Sequence, residues 1–142
     1  MASLFSKFDS DRIVAAIAAA EKKTSGEIRV HVTRHVPKDL EERALRRFHL
    51  LGMEKTAHRN GVLLYIAPRA RRFRILGDVA IHEKCGDEFW KEVTAVMEGH
   101  FRKGALTDGV VAGVERVGDV LARHFPRGAG DANELPDSID ED

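Results

Sequence analysis

Four oxygen-bearing side chains stand next to glycines. Glu27 follows Gly26, Asn60 precedes Gly61, Asp78 follows Gly77 and Asp108 precedes Gly109. Carboxylates and amide carbonyls are the hard donors that suit Ca²⁺ or Mg²⁺, with backbone carbonyls and water filling the remaining positions. The glycines would let the backbone come close. The spacing is not that of an EF-hand, because no loop carries ligands at alternate positions. Each residue also has a structural role open to it. Asp108 can stabilise a helix start, Asn60-Gly61 can make a turn, and Asp78 can accept backbone hydrogen bonds at a strand end. A second set is basic. Arg69, Arg71 and Arg72 crowd one bend, with Arg74 following. They suit a phosphate or an acidic partner, or form a solvated hairpin tip. Arg29 and Arg59 fall nearer the oxygen set and complete the anion-binding candidates.

The elements needed to position these residues can be read from periodicity. Ser10 is placed to cap a first helix in which Ile13, Val14, Ile17 and Ala20–Glu21 recur at helical spacing. Thr24-Ser25-Gly26 ends it. Glu27 to Val32 alternates polar and apolar, the period of a half-buried strand. Pro37 marks the start of a second helix, lined by Leu40, Ala44, Leu45, Phe48 and Leu51 and stopped by Gly52. Val62 to Ile66 has no polar alternation and reads as a central strand buried on both faces. Arg72 to Ile75 alternates, so the third strand has one wet face. After Asp87, Phe89, Trp90, Val93, Val96, Met97 and Phe101 form a helical core stripe. A last helix carries Val110, Val114, Val117 and Leu121, with Gly109, Gly113 and Gly118 explained by close packing.

A strand, a crossover helix and a second strand make a parallel unit. The short basic bend then makes strands two and three antiparallel. The starts of strands one and two therefore meet the finish of strand three. That brings Glu27, Asn60 and Asp78 together, and Asp108 joins them if the last helix starts nearby. The bend with Arg69, Arg71 and Arg72 lies at the opposite end. Two functions follow. One is a non-catalytic, cation-responsive accessory or interaction module, since no nucleophile–base arrangement is evident. The other is a metal-assisted phosphatase, with Asp78 or Asp108 holding the cation, Glu27 assisting proton transfer, and Arg29 or Arg59 binding the phosphate.

Composition narrows the field. The 142 residues, 43% hydrophobic and 32% charged, fit one folded domain. The single cysteine, Cys85, excludes an internal disulfide and a cysteine-based zinc cluster, and the seven histidines form no zincin motif. The opening MASLFSKFDSDR reads as neither a signal peptide nor an anchor, and no stretch is long and apolar enough to insert in a membrane. A cytoplasmic location is the expectation. Residues 131–142 carry six acidic and no basic residues and read as a flexible acidic tail on a domain of residues 1–130. The remaining body has 23 basic and 17 acidic residues, a mild surplus that attracts anions without implying nucleic acid. The expected partner is an unidentified protein or anionic ligand.

The stretches Glu21-Lys22-Lys23-Thr24-Ser25-Gly26-Glu27-Ile28, Arg59-Asn60-Gly61-Val62-Leu63-Leu64, Arg74-Ile75-Leu76-Gly77-Asp78 and Gly104-Ala105-Leu106-Thr107-Asp108-Gly109 occur in an order that resembles the TPM-domain family, from about Ile13 to Pro126. The resemblance implies a three-layer α/β/α sandwich around a small mixed sheet. It also implies a cleft for divalent cations, notably calcium, and it brings with it the acid phosphatase activity attributed to some plastid members. By its pattern Glu27, Asn60, Asp78 and Asp108 are the candidate ligands, with Asp78 and Asp108 preferred.

Overall fold

A computed structural model describes residues 9–128 and 134–142. The expectations that fall on the first eight residues and on 129–133 lie outside the described residues. The elements are α1 (Ser10–Glu21), β1 (Glu27–Val32), α2 (Leu40–Leu50), β2 (Gly61–Ala67), β3 (Arg72–Gly77), α3 (Val79–Arg102), α4 (Leu106–His124) and β4 (Asp140–Glu141). The sheet order is β3-β2-β1-β4. β1 and β2 are parallel, with Glu27 opposite Gly61, and β2 and β3 are antiparallel, with Val62 opposite Gly77. The expected pairing is present, and so is the α/β/α layering.

The two faces of the sheet bury different helices. Ile28, Val30 and Val32 of β1, with Val62, Leu64 and Ile66 of β2, pack against α1, α3 and α4. On the other face Leu63, Tyr65 and Ala67 meet α2 through Leu40, Ala44 and Phe48. All seven residues of β2 are buried, as its unbroken apolar run predicts. Several boundaries differ from the reading of the sequence. Asp9, not Ser10, caps α1 by accepting from the Arg12 amide, and Asp39 caps α2 two residues after Pro37. Leu45 is half exposed. Gly52, at φ 70°, follows α2 in the left-handed conformation that ends a helix. α3 is broken at Gly86, whose backbone leaves the helical region at φ 67° and ψ −172°, so its long core stripe begins after that residue.

Two expectations need correction. β1 is buried at all six positions rather than half buried. The expected solvated tail is, over 134–142, a segment laid along β1, ending in the parallel strand β4 opposite His31 and Val32. Both corrections have one cause. The polar residues of β1 are covered in turn by this segment. Glu27 accepts from the Glu134 amide, Arg29 donates to the Ser138 carbonyl at 3.2 Å, and His31 lies between Asp140 and Asp142 at 2.7 and 2.9 Å. Arg47 of α2 adds a pair with Asp142 at 2.8 Å, and His31 stacks on Tyr65. An acidic run without apolar alternation carries no strand signal, but here Asp140 and Asp142 are held by the side chain of His31 on another strand.

Close packing does account for Gly109, Gly113 and Gly118 of α4. A Cβ on Gly118 of α4 would stand 2.6 Å from Ala20 Cβ of α1, whereas one on Gly99 of α3 would meet nothing within 4 Å. Alanine gains about 1 kcal/mol of helix propensity at either site, and overpacking costs about 1–3 kcal/mol only at the first. Gly99→Ala should therefore raise the urea midpoint and Gly118→Ala should lower it. Two shifts of the same sign would disprove the packing account. Among the described residues no helix is long and apolar enough to cross a membrane.

Candidate functional site

Three of the four expected oxygen donors do meet at one end of the sheet. The Glu27 amide donates to the Asn60 carbonyl, and the Asp78 amide donates to the Gly61 carbonyl at 2.9 Å. Asn60 Nδ2 donates to Ser25 Oγ at 3.1 Å, tying the two strand starts together. All three side chains are buried. Asp108 is not among them. α3 starts at this end of the sheet and carries the chain to the other end, so α4 begins there and runs back until Phe125 reaches Thr24 and Ser25. Asp108 instead pairs with Arg12 at 2.9 Å, half exposed.

Asp78 is present but committed. Its carboxylate takes two hydrogen bonds from Arg59, at 2.5 and 2.7 Å, and a third from the Val79 amide at 2.8 Å, capping α3. The fork of a guanidinium matches a carboxylate in this way, and the paired Asp78 holds the Arg59 proton even more firmly than usual. Asp78 is thus a strand-to-helix clamp rather than a free ligand. The anion candidates fall in three places. Arg59 is held by Asp78, Arg29 is buried under the segment 134–142, and Arg69, Arg71 and Arg72 sit at the far end of the sheet.

The residue the sequence reading passed over is Glu21. It ends α1, is 1% exposed, and accepts from the Ile28 amide at 2.9 Å. Ile13, Ile17 and Glu21 share one inward stripe at four-residue spacing. A carboxylate on such a stripe is the signal that could have found it. Asp137, brought in by the segment along β1, and Glu27 both reach hydrogen-bonding range of Glu21. Burial first, then the neighbouring Asp137 and Glu27, push the Glu21 carboxyl up to about 10, and burial also raises Glu27. Four oxygens here, Glu21 Oε1, Glu27 Oε2, Asn60 Oδ1 and Asp137 Oδ1, are buried and accept from no N–H or hydroxyl group among the described residues. Unmet buried oxygens cost roughly 1–3 kcal/mol each, so a cluster of four marks a place where something besides packing is served. Among the described residues no three His, Cys, Asp or Glu side chains stand at ion-holding spacing.

The TPM-domain sequence model matches residues 1–120. The chain is 37% identical to the BA42 protein of the psychrophilic bacterium Bizionia argentinensis. That NMR structure superposes with a TM-score of 0.91 over 100% of both chains. The N-terminal domain of a P. gingivalis protein, at 23% identity and a TM-score of 0.66 over 78% of this chain and 72% of that one, shares the fold. A search of curated proteins finds no match.

Proposed function

The chain belongs to the TPM-domain family, and on that premise we propose that it is an accessory domain responsive to divalent cations, whose site is the Glu21 cluster rather than the Asp78–Asp108 pair. The supporting observation is the set of four unpartnered buried oxygens on Glu21, Glu27, Asn60 and Asp137. Carboxylates and an amide carbonyl are the donors Ca²⁺ and Mg²⁺ prefer. Because these carboxylates do not stand at ion-holding spacing in the ion-free chain, an ion would draw them together, displacing the protons that burial keeps on Glu21 and Glu27. Binding is then coupled to proton release. It is also coupled to the segment along β1, because Asp137 and the Glu134 amide belong to that segment while Glu21 and Glu27 belong to the domain body. A ligand that joins the two stabilises the docked state by mass action.

The same cluster would also suit metal-assisted phosphoester hydrolysis, but the arginines around it are occupied. Arg127 donates to the Glu21 carbonyl at 2.9 Å, Arg59 is engaged by Asp78, and Arg29 donates to the Ser138 carbonyl. Those engagements favour the accessory reading.

Calorimetric titration with Ca²⁺ and Mg²⁺ in buffers of different ionisation enthalpy tests the proposal. Saturable binding with proton release is expected in the parent and in Asp108→Ala, and none in a folded Glu21→Gln/Glu27→Gln variant. Equal binding in parent and double variant would sink the site, and no binding of either ion up to millimolar concentration would sink the function.

A further inference from the structure

The sheet has a second edge. β3 is its outermost strand, and among the described residues nothing pairs with its outer side. That edge forms the floor of a groove of about 1140 Å³, flanked by α2 on one face of the sheet and by α3 and the start of α4 on the other. Its apolar wall includes Phe73, Ile75, Trp90 and Phe101, with Phe73 and Phe101 edge to face at 5.3 Å. Its charges are uneven. Arg71, Arg72, Arg74 and Arg102 line it against Glu41 and Glu98, a surplus of two positive charges. Arg74 pairs with Glu41 at 3.1 Å and Arg102 with Glu98 at 3.5 Å, while Arg71 and Arg72 have no acidic partner among the described residues. The backbone at Arg71 turns through the left-handed region, at φ 54°, where β3 begins.

We infer that this groove binds an acidic, extended segment of a partner protein, which adds to the sheet as a strand beside β3. Three features favour that occupant. An unpaired edge presents backbone donors and acceptors to an incoming strand. The groove lies on both faces of the edge, so alternate side chains of an added strand would enter its two halves. The uncompensated arginines select acidic residues on that strand. The opposite edge of the same sheet already holds such a segment, where Asp140 and Asp142 meet His31 and Arg47 beside β1. The inference does not rest on the cation site.

A peptide of about six residues alternating Asp and Val is a suitable probe, followed by amide NMR on the full chain. The expected result is saturable binding that slows exchange of amides in Arg72–Gly77 and weakens with salt. Arg71→Ala/Arg72→Ala should weaken it about tenfold or more. The same peptide N-methylated at alternate residues should fail to bind, and so should one alternating Lys and Val. Binding that leaves the β3 amides unprotected, or that survives the arginine substitutions, would overturn the inference. So would absence of binding up to millimolar peptide, concentration-dependent dimerisation through β3, or tighter binding of single-stranded RNA to the same arginines.

Discussion

Glu21→Gln should make the folded chain more stable by about 3 kcal/mol at pH 7. A carboxyl that ordinarily titrates near 4.5 keeps its proton to about 10 here, because it is buried and faces Asp137 and Glu27. A raised pKa contributes fully below 4.5, and its contribution is lost progressively as pH rises toward 10. Over that window the folded state holds a proton that the unfolded state has released. Stability should then fall by about 1.4 kcal/mol per pH unit. Glutamine keeps the oxygen that accepts from the Ile28 amide and needs no proton to be neutral. Urea unfolding of both proteins from pH 5 to pH 9 measures this directly. The parent should lose stability with rising pH more steeply than the variant, whose residual slope comes from the raised Glu27, and parallel slopes would refute the buried protonated carboxyl. Added Ca²⁺ should flatten the slope of the parent and leave the variant unchanged. The substitution that stabilises the fold is thus the one expected to remove cation binding.

His31→Ala should cost about 3 kcal/mol and release the segment 134–142. The ring is fully buried, carries a carboxylate on each nitrogen and stacks on Tyr65 at 4.9 Å. The substitution removes two contacts to carboxylates, and hydrogen bonds to charged groups are worth about 1.5–3 kcal/mol each; the partial exposure of Asp140 and Asp142 places this case at the lower end. Acid should loosen the same joint. Burial opposes ionisation of Asp142, but hydrogen bonds with Thr33 and His31 and the charges of His31 and Arg47 outweigh it and hold the carboxyl at about 2. A depressed pKa contributes above the ordinary 3.8 and is lost as pH falls through 2. Limited proteolysis should therefore find the segment protected at neutral pH in the parent and cut in His31→Ala. The β4 amide signals should shift between pH 4 and pH 2. A variant with parent-like protection would show that the segment is held by something other than this ring.

The parts of the fold that sequence disclosed were those with a strong period. β2 is a run of apolar residues and is buried throughout; β3 alternates and has a wet face; the meeting of Glu27, Asn60 and Asp78 followed from strand directions alone. Asp108 was misplaced because directions of strands say nothing about where a helix ends. The run from Asp78 to Arg102 carries the chain across the sheet before α4 can begin. Glu21 was hidden by its neighbours, since a charged residue at the end of an alanine-rich helix is ordinary unless its stripe is followed inward. β4 was illegible for a different reason. Asp140 in β4 and Asp142 just after it are held by one ring, His31, 109 and 111 positions earlier, which leaves no local pattern.

That separation also bears on how the molecule is made. Contacts between distant positions form late, because the intervening chain must first be closed into a loop. During synthesis β1 can find β2 and α1 long before residues 134–142 exist. Until then its outer edge is uncovered, and an uncovered edge is a template for the wrong chain. The interval between completion of the core and arrival of Asp140 and Asp142 is thus the point at which a nascent copy is most open to a chaperone or to aggregation.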